Sequence, residues 1–246
     1  MATNKYYSLD FPENTIIETV SFMKNPETCY MCDCLATSKE HAPPKCIFPE
    51  QKDAGGVDYR KNLIKVPSCD VHNTEKSAED EYLMHILPTS IATNDIGVNQ
   101  FLTKIQRAIT RNPSLAVNIY KDAQKVIVHD TEKDVWSEAL AIRIDMKRVR
   151  KVIEMNARAV YYFLRKEKFL GKIEVFTNFT LKLESPEIND TQEKLFDMSE
   201  LLLQGSSFQG ENKDVFAYRI ARDEGVELVE FTFYGVSKAL AVLHHD

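Results

Sequence analysis

The stretches CYMC at residues 29–32 and CDVH at residues 69–72 decide how the N-terminal part of the chain folds. Each stretch places two metal-binding side chains three positions apart. Together they supply four ligands, which are Cys29, Cys32, Cys69 and His72. Thiolate and imidazole are the ligands that Zn²⁺ prefers in four-coordinate structural sites. We therefore predict a closed structural zinc site, which stabilises a turn-rich module that has little core of its own.

The presence of further cysteines means that the sequence alone does not fix every member of this ligand set. The chain has five cysteines, and all of them lie between Cys29 and Cys69. An odd number of cysteines in a chain without an export signal argues against a disulfide framework. Cys34 and Cys46 are left outside the predicted set, and Cys34 is close enough in sequence to replace Cys32. The alternative to a metal site is a group of buried free thiols.

Length and composition limit the class of protein. The 246 residues, 43% apolar and 28% charged, suit one large or two small soluble domains and exclude a disordered chain or a disulfide-rich miniprotein. No apolar run approaches the ~20 residues that span a bilayer, and the first residues lack the pattern of a signal peptide. We therefore expect a cytoplasmic protein with no membrane partner. The formal net charge of −6 means that any nucleic-acid binding must depend on a local site.

The order of sequence patterns predicts an α+β fold in two parts. Residues 1–90 contain the cysteines, many turn-forming residues and a short helix over 77–87 with Ser77 as its N-cap. Residues 91–246 form a second domain, whose role is left open among regulation, DNA recruitment and oligomerisation. Apolar periodicity predicts helices over 96–111 and 145–169, and strands over 62–67, 125–130, 172–184, 214–221 and 227–236. A hairpin turn is predicted at residues 222–225, and the terminal His244 and His245 are assigned no role.

The polar residues around the cysteines follow an order that resembles the HNH, or ββα-metal, endonucleases that carry a zinc knuckle. In that family a C-x2-C pair precedes an acidic-His dipeptide and a proline, then an Asn, a second pair of zinc ligands, and a His or Asn that opens a helix. Over residues 27–87 the same order reads Cys29-x2-Cys32, Glu40-His41-Ala42-Pro43, Asn62, Cys69-x2-His72 and Asn73-x2-Lys76-Ser77. The resemblance implies a small zinc-stabilised ββα-metal module. The patterns after it predict a C-terminal domain of helices and an antiparallel sheet.

The resemblance also implies roles for individual residues. His41 would be the general base, because an imidazole with an ordinary pKa of ~6.5 can accept a proton at neutral pH. Glu40 and Asn73 would hold a catalytic Mg²⁺ or Mn²⁺ ion through their oxygen atoms. Asn62 would orient the loop that carries His41, and Lys76 would contact a neighbouring phosphate.

Each of these assignments has an alternative without catalysis. Glu40 and His41 could be a surface pair, Asn73 a helix N-cap or turn residue, and Asn62 a polar residue at a strand edge. His72 could be catalytic instead of a zinc ligand, although its spacing from Cys69 favours zinc. Glu40 also stands where the family usually has Asp. The interval between the two asparagines is about two residues longer than the resemblance implies, which keeps the side-chain parity of a strand.

A basic segment follows in the second domain. Between Arg143 and Lys172 the chain has ten basic and three acidic residues, so this segment is strongly cationic within an acidic chain. The functional interpretation is contact with the DNA backbone. Its predicted contacts are Lys147, Arg148, Arg150 and Lys151. The alternative is a solvated helix face whose charges meet acidic residues elsewhere in the fold.

These observations give two functional hypotheses. The first is a metal-dependent endonuclease with a structural Zn²⁺, which hydrolyses phosphodiester bonds in DNA. By resemblance the DNA is double-stranded, and the role lies in bacterial or phage DNA processing or antiviral defence. One such site cuts one strand, so a homodimer or a regulatory partner protein is an open expectation. The second hypothesis is an inactive zinc-knuckle module that binds nucleic acid or protein.

Overall fold

The computed structural model describes residues 27–130, 134–180 and 185–245, which form a mixed α+β fold with antiparallel sheets, as the sequence predicts. Within these ranges no helix has both the length and the apolar character needed to cross a bilayer. In chain order the elements are β1 (Ser38–His41), β2 (Lys65–Ser68), α1 (Asp70–Ile86), α2 (Asp95–Gln100), α3 (Gln106–Arg111), α4 (Pro113–Tyr120), β3 (Gln124–Asp130), β4 (Val135–Ala141), α5 (Met146–Arg165), β5 (Ile173–Thr177), α6 (Pro186–Leu202), β6 (Phe216–Asp223), β7 (Val226–Phe233) and β8 (Ser237–His244).

The N-terminal part is built on β1 and β2, which pair antiparallel, with α1 directly after β2. The register places Ser38 opposite Ser68 and His41 opposite Lys65. The strand predicted over 62–67 therefore begins three residues later than expected. Since α1 starts two residues after β2 ends, the strand pair and the helix are held close together by the chain itself.

Helix α1 begins earlier than the sequence predicts. It starts at Asp70 with Cys69 as its N-cap, about two turns before Ser77, so the N-cap prediction for Ser77 is wrong. Cys69 has an extended backbone, and its carbonyl oxygen accepts from the Asn73 N–H at 3.0 Å. Val, His, Asn and Thr at 71–74 are weak helix formers, so intrinsic propensity does not reveal the first turn.

The C-terminal part contains a four-stranded antiparallel sheet in the order β5-β8-β7-β6. The predicted hairpin is confirmed: β6 and β7 are joined by Glu224 and Gly225, and Gly225 has a φ of +70°. Residues 181–184 of the predicted strand 172–184 lie outside the described residues. Strand β8 is not predicted by the sequence, although it lies between β5 and β7 and contains His244. Its alanines give a weak strand signal.

Helix α5 and the sheet share one hydrophobic core with the N-terminal part. The buried cluster contains Phe48 and Leu83 from the first 90 residues together with Ile153 and Phe231 from the remainder. The predicted division at residue 90 marks a change in sequence character, but it does not separate two hydrophobic cores. The helix predicted over 145–169 is α5, in which the side chain of its N-cap, Asp145, accepts a backbone N–H.

Arg148 joins α5 to α1. Its Nε donates to Glu79 Oε2 at 2.5 Å, and a terminal amine donates to the Ala78 carbonyl at 2.9 Å. The guanidinium carbon lies 4.1 Å from the centre of the Tyr82 ring, which is a cation–π distance. Arg148 is therefore a structural residue at the α1–α5 interface.

We expect Arg148→Ala to lower the melting temperature by roughly 2–4 °C, because it removes about 1 kcal/mol of ion-pair and cation–π interaction. Lys147→Ala is the matched control, since Lys147 is exposed and its side chain contacts no charged group in the described ranges. Thermal unfolding followed by circular dichroism checks the difference. Equal melting temperatures for the two variants would show that the contacts of Arg148 do not stabilise the interface.

Candidate metal centre and the cavity beside it

Four side chains meet between the first described loop, the end of β2 and the start of α1. They are Cys29, Cys32, Cys69 and His72, the set that the sequence predicts. Their ligand atoms all lie within 4.8 Å of one another. This Cys/His cluster could hold a metal ion such as zinc.

The distances within the Cys/His cluster fit tetrahedral coordination. The Sγ atoms of Cys32 and Cys69 are 3.8 Å apart. His72 Nδ1 lies 3.4 Å from Cys29 Sγ, 3.6 Å from Cys32 Sγ and 3.3 Å from Cys69 Sγ. A tetrahedral zinc ion with Zn–S bonds of ~2.3 Å and Zn–N bonds of ~2.0 Å separates its sulfur ligands by about 3.8 Å and sulfur from nitrogen by about 3.5 Å. The four residues therefore fit zinc.

The position of Cys69 favours the thiolate that metal binding requires. The backbone N–H of His72 lowers the pKa of the Cys69 thiol below its ordinary value, and the start of α1 adds the positive end of a helix dipole. Burial acts in the opposite direction on Cys29 and raises the pKa of its thiol. Metal binding to this cluster must therefore release protons and weaken as the pH falls.

The two remaining cysteines lie outside the Cys/His cluster. Cys34 is exposed, and its carbonyl oxygen accepts from the Cys29 N–H at 2.9 Å. Cys46 Sγ donates to the Asp80 carbonyl at 3.4 Å, and burial raises the pKa of this thiol to about 12. Cys32, and not Cys34, therefore belongs to the Cys/His cluster that could hold the metal.

Neighbours of the cluster hold the carboxylate of Glu40 in the interior. Glu40 is 5% exposed. Its Oε1 accepts from the Tyr30 hydroxyl at 3.2 Å, and its Oε2 accepts from the Ser68 hydroxyl at 3.2 Å. Tyr30 lies between the ligands Cys29 and Cys32, and Ser68 directly precedes Cys69. The chain segments that form the cluster therefore also fix Glu40.

Lys76 completes this buried network. Its side chain is 1% exposed, and Nζ lies 2.5 Å from Glu40 Oε1 and 3.5 Å from Asp80 Oδ1. Nζ also donates to the carbonyl oxygen of His41 at 3.2 Å. The predicted phosphate contact of Lys76 does not fit this position, because the ammonium lies inside the protein.

Glu40 does not fit a divalent metal ion in this arrangement. Both carboxylate oxygens already accept hydrogen bonds, and the Lys76 ammonium neutralises the charge. A second cation on the same carboxylate would be repelled by that ammonium across a few ångströms of interior. The Mg²⁺ or Mn²⁺ ligand predicted at Glu40 is therefore a buried structural carboxylate in the structure.

A cavity of about 500 Å³ opens beside this network, and both His41 and Asn73 line it. His41 comes from the end of β1, and Asn73 comes from the first turns of α1. Further lining residues on the same face of α1 include Ser77, Asp80 and Glu81. Burial raises the pKa of Asp80 to about 7.

The His41 imidazole is suited to accept a proton. Its ring nitrogens form no hydrogen bond with any residue that the structure describes. Burial lowers the pKa of His41, and the positive charges of Lys65, Lys45 and Lys76 lower it further. The ring is therefore neutral at neutral pH, which is the form that a general base needs.

Asn62 does not occupy the predicted strand position. It lies in an exposed turn before β2 with a φ of +52°. A second, smaller cavity brings it near Ala42 and Pro43, but within the described ranges its side chain makes no hydrogen bond to the loop after His41. That loop is held instead by the backbone, because the Ala42 N–H donates to the Ile64 carbonyl at 3.1 Å.

Several charged residues of the cavity are not predicted from the sequence. Besides Asp80 and Glu81, they are Lys39, Lys45, Lys104 and Arg111. Two signals could have identified the basic residues. Lys39 and Lys45 flank the Glu40-His41 dipeptide, and Lys104 and Arg111 are seven residues apart, which places them on one face of a helix.

No protein-family model, no curated protein and no solved structure matches this chain.

We expect the purified protein to contain one zinc ion per chain, and Cys69→Ser to lose it. The variant should also have a lower melting temperature, because metal binding contributes to folding of the N-terminal part. Cys34→Ser is the matched control and should keep its zinc, since Cys34 is exposed outside the cluster. Inductively coupled plasma mass spectrometry measures the metal content. A wild-type protein without zinc, or a Cys69→Ser variant with full zinc content, would contradict the ligand assignment.

Proposed function

We propose that this protein is a DNA endonuclease of the HNH type. The arrangement of β1, β2 and α1 beside a Cys/His cluster supports this proposal, because it follows the element order that the resemblance implies. The observation that carries it is the shared cavity of His41 and Asn73, in which the imidazole is neutral and has no hydrogen-bond partner among the described residues.

His41 would act as the general base in phosphodiester hydrolysis. A water molecule loses a proton to the imidazole while its oxygen forms a bond to phosphorus, and the bond from phosphorus to the leaving sugar oxygen breaks. The leaving oxygen then takes a proton from solvent. The hydrogen bond from Lys76 to the carbonyl oxygen of His41 fixes the backbone of the base, so Lys76 is a positioning residue in this proposal.

The requirement for Mg²⁺ or Mn²⁺ remains a prediction, and we assign no step of the reaction to an ion held by Glu40. Four residues besides Glu40 that have side-chain oxygen atoms line the cavity, namely Asn73, Ser77, Asp80 and Glu81. Cleavage without added Mg²⁺ or Mn²⁺, in a buffer that contains no chelator of the structural zinc, is therefore an independent arm of the assay.

Of the four DNA contacts predicted on α5, two are free to bind DNA and two contact acidic groups of the protein itself. Arg148 bonds Glu79, and Lys151 Nζ lies 3.6 Å from Glu75 Oε2, so both face acidic groups of α1. Lys147 and Arg150 are exposed, and their side chains have no partner in the described parts of the chain. We propose that these two residues bind double-stranded DNA. A homodimer or regulatory partner, a cytoplasmic location and a role in antiviral defence also remain proposals.

A second candidate function is a zinc-knuckle module that binds nucleic acid or protein without cleaving it. The specific observation in its favour is Glu40, whose carboxylate is buried against Lys76 and is not free to hold a catalytic ion. The two candidates differ in one respect, namely whether the neutral imidazole of His41 is used for chemistry.

We expect the wild type to nick supercoiled plasmid DNA in Mg²⁺ or Mn²⁺ and His41→Ala to lose activity by roughly 100-fold or more, because the general base is gone. His129→Ala is the matched control, since His129 lies on β3 and does not line the cavity. Gel electrophoresis measures the nicked fraction. Cleavage by His41→Ala at the wild-type rate would remove the proposed mechanism, and an inactive wild type would favour the second candidate.

The pH dependence tests the charge state of His41. The rate should fall as the pH drops through an apparent pKa below the ordinary histidine value of 6.5, because burial and the nearby lysines disfavour the protonated ring. Lys65→Gln removes one of these charges and should move the acidic limb to higher pH. Lys61→Gln, in the exposed turn before β2, should leave it in place. An acidic limb that does not respond to Lys65→Gln would mean that another group controls the rate.

A further inference from the structure

The basic residues that line the cavity are of two kinds. Lys104 is used internally, because its Nζ donates to the Cys46 carbonyl at 2.6 Å. The other three are exposed and line the same cavity as His41. We call them the cationic lining: Lys39, Lys45 and Arg111.

The charges of the cationic lining are not neutralised within the described ranges. Lys39 and Lys45 form no ion pair there, and Arg111 uses only Nε, which donates to the Arg107 carbonyl at 3.2 Å. Arg107, one turn earlier, is different, because its two terminal amines bind both oxygens of Asp53 at 2.9 Å and 2.5 Å. Asp80 and Glu81 on α1 also line the cavity, but three unpaired cations beside them can attract an anion in a chain with a net charge of −6.

The fold fixes the backbone segments that carry Lys45 and Arg111. Gln100 Nε2 and Lys104 Nζ both donate to the Cys46 carbonyl, at 3.0 Å and 2.6 Å. These bonds tie the helical segment that ends at Arg111 to the loop that carries Lys45. Lys104 lies in a π-helical stretch, Phe101–Ile105, an irregularity that often occurs at functional sites. A frame held in this way reduces the ordering cost of binding.

The three cations come from three elements, which favours a ligand that carries several negative groups. Lys39 is on β1, Lys45 begins a short 3₁₀ turn after it, and Arg111 ends α3. Arg can bind a phosphate through two N–H groups, and Lys acts as a mobile point charge. A sugar–phosphate backbone presents one such group per nucleotide and can contact all three elements at once.

We propose that the cationic lining binds backbone phosphates of the DNA strand whose bond lies next to His41. The inference rests on the proposed endonuclease function and assigns its substrate contacts to residues 39, 45 and 111. These contacts are independent of base sequence and lie beside the general base, whereas Lys147 and Arg150 lie on a different helix.

The experiment measures binding of a fluorescein-labelled DNA duplex by fluorescence anisotropy. His41→Ala protein without added Mg²⁺ or Mn²⁺ is used throughout, so that cleavage does not interfere and the structural metal is not chelated. The triple variant Lys39→Gln/Lys45→Gln/Arg111→Gln should bind at least roughly tenfold more weakly at low salt. The slope of log K against log salt should become shallower by roughly 0.9 for each phosphate contact that is lost.

The matched control is Lys194→Gln/Lys213→Gln/Arg222→Gln, which removes the same charges from exposed positions that do not line the cavity. Its affinity and salt slope should stay close to the parent. A further variant, Lys39→Arg/Lys45→Arg, keeps the charge and should keep the affinity. Zinc content and melting temperature of all variants should match the parent, since the side chains are exposed.

Equal affinity and slope for the cationic-lining variant and its control would overturn the inference. That result is separate from a failure of the proposed function, which the plasmid assay reports. An inactive wild type whose DNA binding still depends on these three residues would support the phosphate contacts while refuting catalysis. If the wild type cleaves plasmid DNA but its DNA binding does not depend on these three residues, catalysis would be supported and the phosphate contacts refuted.

Discussion

The rest of the N-terminal part depends on the close approach of three sulfur atoms and one nitrogen atom, which lie within 4.8 Å of one another. This cluster joins the first described loop, the end of β2 and the start of α1. Tyr30 and Ser68, which lie beside its ligands in sequence, hold the two oxygens of Glu40. Glu40 in turn pairs with Lys76, and Lys76 binds the carbonyl oxygen of His41. The position of the proposed general base is therefore set by a continuous chain of contacts that begins at the metal ligands.

The Glu40–Lys76 pair contributes more to positional accuracy than to stability. Both side chains are at most 4% exposed, so the desolvation of two charges offsets much of their attraction. The hydrogen bonds from Tyr30 and Ser68 satisfy the carboxylate in the interior, which makes the arrangement tolerable and specific. In the same arrangement the carboxylate of Glu40 is not free to bind a metal ion. The cavity is therefore lined by the neutral imidazole of His41 and by basic residues without ion pairs in the described part of the chain. Of the two acidic residues of α1 that line it, Asp80 contacts Lys76 and Glu81 does not.

The sequence predicts those features that depend on local chemistry. The spacing of the two Cys/His pairs identifies the cluster, and the hairpin at Gly225 follows from turn preferences. The start of α1 is not predictable from propensity, because tertiary contacts outweigh the weak helix formers at 71–74. The burial of Lys76 and the turn position of Asn62 depend on contacts between distant segments. A linear sequence motif does not contain information on such contacts. The basic residues Lys45 and Arg111 meet only because Gln100 and Lys104 tie their segments together.

Hydrogen–deuterium exchange of the protein with and without bound zinc shows whether the Cys/His cluster positions the cavity and His41. We expect chelation of the metal to remove amide protection from residues 27–45 and 60–80, including the Tyr30 N–H that donates to Pro67 and the Ala42 N–H that donates to Ile64. The amides of β7 and β8 should keep their protection, since their sheet is paired independently of the cluster. Unchanged protection at residues 27–45 after the zinc is removed would contradict the claim that the cluster positions the cavity and His41.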